Sequence, residues 1–181
     1  ISSDEPSWLG DHRVFERIVA PGALHGALAA AAWTDLGGGG SVSVSGVQLH
    51  APLIVAPEMC RRLQILLAAP EAGSGMARSL EVYSRGLDEE NWTLHATGLV
   101  SSGEAAGSPE TINLVDLRSQ LTARDVTDLY EAFAEAGVKL GPAFQRVSAL
   151  WSSPGQALGE VGLGGGLSSK EGFLHPALLD G

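Results

Sequence analysis

The sequence predicts an α+β fold on three observations. An apolar run opens at Pro21-Gly22, short β-patterned segments follow between glycine-rich turns, and a second helix-then-strand pattern starts near residue 120. Trp8-Leu9-Gly10-Asp11-His12 leads into a β-branched and aromatic stretch, His12 to Val19. Pro21 then opens a helix, a place where its missing N–H costs no hydrogen bond. The helix expected from about Gly22 to Trp33 is rich in alanine and apolar on every side, which predicts burial all round under a closely wrapped sheet.

Gly37 to Gly40 break the pattern, and Ser41 to Ala51 reads as a strand. Val42 and Val44 hold one phase and Val47 and Leu49 the other, so a bulge is expected at Ser45-Gly46. Ala51 to Pro57 is a short extended piece bounded by prolines. From Arg61 to Ala69 the alternation is clean, with Leu63, Ile65 and Leu67 on one face. Ser79 to Ser84 and Asn91 to Ser101 give two further strands around a polar turn at Gly86 to Glu90. Residues 1–104 are thus expected to form a first unit, one helix followed by antiparallel strands.

Residues 105–120 are mixed and aperiodic and read as a linker, and residues 121–181 as the start of a second unit. Thr122, with Asp125 three positions on, is expected to cap its helix. Val126, Leu129, Tyr130 and Phe133 form the apolar stripe, and Gly137 stops it. A hairpin follows through Ser152-Ser153-Pro154-Gly155, then a glycine-rich loop, Gly162 to Gly166. Pro176 opens another apolar helix, which the chain leaves after one turn at Gly181.

At 181 residues and 44% hydrophobic content, the chain is long enough for one sizeable core or two small ones. A formal net charge of −10 argues against nucleic acid and anionic membranes as partners. The single cysteine, Cys60, excludes an internal disulfide framework and fits a reducing cytoplasm. No stretch approaches the roughly 20 apolar residues of a membrane span. The N-terminus lacks the basic head and apolar core of an export signal, so a cytoplasmic protein is expected.

Four segments stand in order: Trp8 to His12 with Pro21-Gly22; Trp92-Thr93-Leu94-His95-Ala96-Thr97-Gly98; Leu140-Gly141-Pro142-Ala143-Phe144-Gln145; and His175-Pro176-Ala177-Leu178-Leu179-Asp180. Together they resemble the dehydratase domain of modular type I polyketide synthases and, more distantly, the dehydratase region of animal fatty acid synthase. The resemblance runs the length of the chain. It implies a double hot dog, two tandem units each built of a helix wrapped by an antiparallel sheet, the second incomplete in this chain.

The resemblance also implies a reaction: removal of water from a 3-hydroxyacyl thioester, carried on the phosphopantetheine of an acyl carrier protein, to give a 2-enoyl thioester. The family's pattern His-x3-Gly-x4-Pro falls on His12 and Pro21, making His12 the base. The aspartate of its His-Pro-Ala-Leu-Leu-Asp element falls on Asp180, making that residue the acid. Its Tyr-Gly-Pro-x-Phe element falls on Leu140 to Phe144. Substrate contacts are accordingly expected from Pro21, Gly22, Gly141, Pro142 and Phe144. No metal and no cofactor beyond the carrier's arm are called for. The partners implied are the carrier protein, neighbouring synthase domains and a second copy of the chain.

Elimination needs a base for the proton on carbon 2 and an acid for the departing hydroxyl. Burial is expected to lower the pKa of His12, to keep Asp180 protonated, and to hold the two roughly 4–7 Å apart across one pocket. The N–H of Gly22 is expected to face the thioester oxygen. Position 16 is glutamate where the family pattern has glycine, and position 140 is leucine where it has tyrosine. A turn after Val14 is expected to point Glu16 outwards, because a buried unpaired carboxylate is costly. His175 is read as holding the loop of Asp180, His95 as a strand residue, and Trp8 and Trp151 as core. His25 and His50 carry no functional signal. Three other functions share this pattern: a double-bond isomerase, disfavoured because such relatives tend to lose the aspartate; a cyclase forming pyran or furan rings, which keeps both residues; and a silent scaffold domain, for which Glu16 and Leu140 speak.

Overall fold

A computed structural model describes residues 1–69, 77–103, 111–162 and 175–180. Residues 105–110 of the expected linker, the glycine-rich loop beyond Gly162, and Gly181 lie outside the described residues.

A single turn of 3-10 helix, Leu9–Asp11, delivers strand β1 (His12–Val14), which folds back into β2 (Arg17–Val19). Val14 pairs with Arg17, so Phe15 and Glu16 alone form the loop. Both have positive φ, 47° and 65°, as the twist of a two-residue hairpin demands. The chain therefore does turn after Val14. Glu16 points into solvent and accepts a hydrogen bond from Lys139 Nζ.

Helix α1 (Gly22–Asp35) starts at Pro21, whose extended φ and ψ of −63° and 150° set the entry angle. Burial all round is not what the structure shows. Leu24, His25, Ala29 and Trp33 are buried, whereas Gly22 and Ala31 are exposed. The covering strands, β3 (Val42–Leu49), β5 (Arg61–Leu67), β6 (Arg78–Gly86) and β7 (Thr93–Ser102), form an antiparallel sheet in the order β3-β7-β6-β5. Alanine carries no polar group that marks an outer face, so a half-covered helix and a fully covered one look alike in sequence.

Ala29 and Trp33 pack with Leu80, Val82, Ala96 and Val100 from the sheet into one core. The bulge expected at Ser45-Gly46 is present: the β3–β7 register shifts between Ser45 and Gln48, and Gly46 takes a φ of 59°. Leu63, Ile65 and Leu67 of β5 share the less exposed phase, as their alternation predicts.

The linker reading needs correction at its end, where Leu114–Ser119 forms a short helix, α2, capped by Asn113. The capping assignment moves as well. Thr122 opens strand β8 (Thr122–Arg124), and it is Asp125 that caps α3 (Val126–Glu135), accepting from the Thr127 N–H at 2.8 Å. A side-chain cap must sit directly before the helix to reach its orphan N–H groups, and Asp125 does. Strands β9 (Val138–Leu140), β10 (Val147–Ser153) and β11 (Gln156–Val161) follow, with Gly155 at φ 79° in the β10–β11 turn. Trp151 is half-buried under the Arg118 guanidinium, 3.9 Å from the ring centroid, and does not belong to either core.

A sheet in the order β4-β2-β1-β9, with β4 at Ile54–Val55, joins early and late parts of the chain. In it His12 lies directly opposite Leu140. The second core gathers around this sheet: Trp8, Leu9, Ile18, Leu24, Leu53, Val55, Phe144 and Ala177 among others. Ala177 belongs to α4 (Pro176–Leu179), the short helix that carries Asp180 at its end.

Candidate active site

His12 is held from both sides. Its Nδ1 lies 2.7 Å from the Val19 carbonyl across the β1–β2 hairpin. A carbonyl only accepts, so Nδ1 carries the proton and the lone pair of the neutral ring sits on Nε2. Nε2 faces Asp180 Oδ2 at 3.3 Å. Both side chains are largely buried, 11% and 21% exposed. The pair is closer than the expected gap of roughly 4–7 Å, because the two groups bond to each other directly.

This contact corrects the expected pKa of His12. Burial does push it down, but the hydrogen bond from Asp180, the Val19 carbonyl and the Asp180 charge together outweigh burial and leave it above the ordinary 6.5. With Nδ1 committed to Val19, Nε2 is the nitrogen left to exchange a proton with the Asp180 carboxyl group. One proton between the two groups would make either neutral imidazole with carboxylic acid or imidazolium with carboxylate. The first state pairs a neutral base with a protonated acid.

Asp180 is placed by the capping of α4. His175 Nδ1 accepts the Ala177 N–H at 3.1 Å, and the Asp180 N–H donates to the Pro176 carbonyl at 3.1 Å. Trp8 closes on the His175 ring edge-on at 5.4 Å. Phe144 is fully buried, its ring 5.9 Å from Trp8 and 5.2 Å from His12. The turn bearing Phe144 is fixed by a residue the sequence did not single out. Asp11 accepts the Gly141 N–H through its carbonyl at 2.7 Å and the Ala143 N–H through its carboxylate at 2.8 Å. A Cβ at Gly141 would lie 2.5 Å from the Asp11 carboxyl carbon, so glycine is required there by contact.

A pocket of about 360 Å3 opens beside His12, walled by Gly22, His25 and residues 49–53 with Val19 and Ala20. Pro21 is buried at the helix entrance and Gly22 lines the space. Gly22 opens the turn of α1 whose N–H groups lack intrahelical acceptors. Gly141 and Pro142 are not among the lining residues, and Pro142 is exposed. Leu140 stands across the strand pair from His12 and packs on the core, so the place of a phenol is taken by an aliphatic chain.

Two further histidines line this pocket without any sequence signal, His25 and His50. His95 lies behind them in a buried relay. The Arg61 Nε donates to Ser84 Oγ at 2.9 Å, Ser84 bonds His95 Nε2 at 2.7 Å, and His95 Nδ1 donates to the Ala51 carbonyl at 3.0 Å. Arginine only donates and the carbonyl only accepts, so the Ser84 hydroxyl proton points to His95. The relay pins the 49–53 wall. Among the described residues no group of three metal-ligating side chains comes together.

Two family models match the chain, that of the polyketide synthase dehydratase domain over residues 1–85 and that of the polyketide synthase dehydratase N-terminal domain over residues 113–181. Among characterised proteins it is 33% identical over 178 residues to polyketide synthase GfsE of Streptomyces halstedii, covering 96% of this chain and 4% of that protein. It is 31% identical over 185 residues to erythronolide synthase EryA2 of Saccharopolyspora erythraea, covering 99% of this chain and 5% of that one. Among solved structures, the dehydratase domain of the CurF module of curacin polyketide synthase superposes with a TM-score of 0.89 at 27% identity, over 99% of this chain and 65% of that chain. The dehydratase domain from the terminal module of the rifamycin synthase gives 0.86 at 27%, over 99% and 65%. The chain thus spans a few per cent of the synthases it matches and about two thirds of the solved domains. Those neighbours are double hot dogs, and the helix-and-antiparallel-sheet architecture here is of the same class.

Proposed function

The chain belongs to the dehydratase-domain family of modular polyketide synthases, and from that premise we propose that it eliminates water from a 3-hydroxyacyl thioester on an acyl carrier protein. The observation that carries this reading is the contact of His12 Nε2 with Asp180 Oδ2 at 3.3 Å. In the neutral state the Nε2 lone pair takes the proton from carbon 2, and the carbon–hydrogen electrons form the new double bond. The carbon 3–oxygen bond breaks as the Asp180 carboxyl proton moves to the hydroxyl, which leaves as water. The enzyme is left as imidazolium and carboxylate, and one proton transfer across the existing hydrogen bond restores it. The N–H of Gly22, a residue that lines the pocket at the head of α1, is the donor this reading assigns to the thioester oxygen as negative charge develops.

Two inactive mutants of the related CurK dehydratase, one histidine-to-phenylalanine and one aspartate-to-asparagine, agree with a histidine and an aspartate sharing this chemistry. The test is His12→Phe and Asp180→Asn in the full protein, with the products of a 3-hydroxyacyl thioester followed by mass spectrometry. The native protein is expected to yield the 2-enoyl thioester, and each variant to lose at least about a hundredfold in rate, the usual scale of general acid–base catalysis. A ring product from the native protein would mark a cyclase, a shifted alkene an isomerase, and unchanged substrate a scaffold. Loss of less than tenfold in either variant overturns the assignment of that residue.

A further inference from the structure

The pocket beside His12 contains a second buried imidazole that the elimination does not use. His25 sits on α1 three residues after Gly22 and is 3% exposed, and it is one of the residues that line the same pocket as His12 and Gly22. Three residues of helix advance about 4.5 Å and come within about 60° of a full turn. His25 therefore lies one step deeper than the helix head, on the same side. Its ring stacks on that of His95, centroids 6.4 Å apart and planes within 15°.

The two rings differ in their partners. His95 bonds through both nitrogens, to Ser84 and to Ala51. His25 Nδ1 is buried and makes no hydrogen bond among the described residues. An orphaned buried polar atom is costly, and an aliphatic side chain would fill this place without that cost. Burial, and secondarily His95, pushes the pKa of His25 down to about 4, so the ring is neutral in ordinary buffers. A neutral imidazole offers one N–H donor and one bare acceptor nitrogen. A group that serves either tautomer must itself donate and accept, which an amide or a hydroxyl does and a ketone or ether does not.

We propose that His25 is a specificity-determining residue of this pocket, hydrogen-bonding an amide or hydroxyl carried by the thioester substrate a few bonds from its reacting carbons. This rests on the dehydratase reading for the thioester alone. Two parts of such a substrate carry the required chemistry: the amide of the carrier arm nearest the sulfur, and a hydroxyl further along the acyl chain.

The test uses unreactive saturated thioesters, so that binding is read without turnover. The probes are the hexanoyl ester of propanethiol, which carries neither group, the hexanoyl ester of N-acetylcysteamine, which carries the amide, and the 5-hydroxyhexanoyl ester of propanethiol. Each is titrated calorimetrically into the native full protein and into His25→Leu. Loss of about tenfold in affinity for one or both polar probes is expected, the value of roughly one hydrogen bond, with the plain ester bound as before or more tightly. The polar probe that weakens names the source. The variant is also expected to melt higher, since it removes an orphan. Equal changes across all three probes, no change at all, no binding of any probe to the native protein, or a lower melting temperature would each overturn the proposal. A native protein that binds the probes yet dehydrates nothing would sink the dehydratase reading and leave this one standing.

Discussion

His12 Nε2 and Asp180 Oδ2 stand 3.3 Å apart, and the Val19 carbonyl on the other side of the imidazole decides which nitrogen faces the acid. The geometry makes the charge state of His12 depend on Asp180. Burial lowers its pKa and is outweighed chiefly by the Asp180 hydrogen bond.

Asp180→Asn should therefore drop the His12 pKa below the ordinary 6.5 in an NMR titration of the ring. Burial remains, the charge is gone, and the new amide N–H bonds the Nε2 lone pair and so favours the neutral ring. A pKa raised in the folded state gives stability that is fully present below the unfolded value near 6.5 and is lost as pH rises through the folded value. The part of the Asp180→Asn stability deficit that comes from His12 should accordingly be full below pH 6.5 and be lost as the pH rises through the folded His12 value. A His12 pKa that stays put would show that the carboxylate does not set it.

Glu16→Gly is expected to leave the pH–rate profile of the dehydration unchanged. Glu16 projects from the hairpin tip to Lys139, which holds its carboxyl below the usual range. Its backbone has a φ of 65°, a region that glycine enters freely, which accounts for the glycine in the family pattern without any role in chemistry. A basic limb that moves by half a pH unit or more would mean that Glu16 does reach His12.

Local periodicity was enough to read the β3 bulge and the β10–β11 hairpin, because a phase slip and a Pro-Gly turn are written in neighbouring residues. The half-covered state of α1 was not legible, since alanine tolerates either environment. Nor was the true cap at Asp125, where Thr122 offered the same side-chain chemistry three positions too early. The meeting of His12 with Asp180 came from motif order, not from pattern. It depends on β1 pairing with β9 and on Phe144 filling the space between the two halves. The raised pKa of His12 depends on that same meeting, so burial alone pointed the wrong way. His25 was silent because a histidine inside an apolar run looks like any other interruption until its neighbours are known.

Ser84→Ala should destabilise the protein by about 1–3 kcal/mol, the cost of leaving buried groups unpaired. The hydroxyl links the Arg61 guanidinium to His95 Nε2 in the relay that ends on Ala51. Urea denaturation with an unchanged m-value measures it. A change under about half a kcal/mol would show that the relay is not holding the 49–53 wall.

The neighbouring histidine should behave in the opposite sense. His95 has both nitrogens satisfied, whereas His25 has a buried orphan and a pKa pushed down to about 4. At pH 7.5 both folded and unfolded chains carry His25 neutral, so His25→Leu gains only by removing the orphan, about 1–2 kcal/mol. As the pH falls below about 6.5 the unfolded chain binds a proton at this position and the folded chain does not. Native stability is then lost at about 1.4 kcal/mol per pH unit until the folded ring titrates near 4. Leucine has no proton to bind. The advantage of His25→Leu over the native protein should thus widen by roughly 3 kcal/mol between pH 7 and pH 4 and level off below. Urea midpoints at half-unit steps of pH, with His95 present in both proteins as a common background, trace the curve. Parallel stability curves would show that His25 is solvated in the folded state, and the buried orphan with its substrate role would fall together.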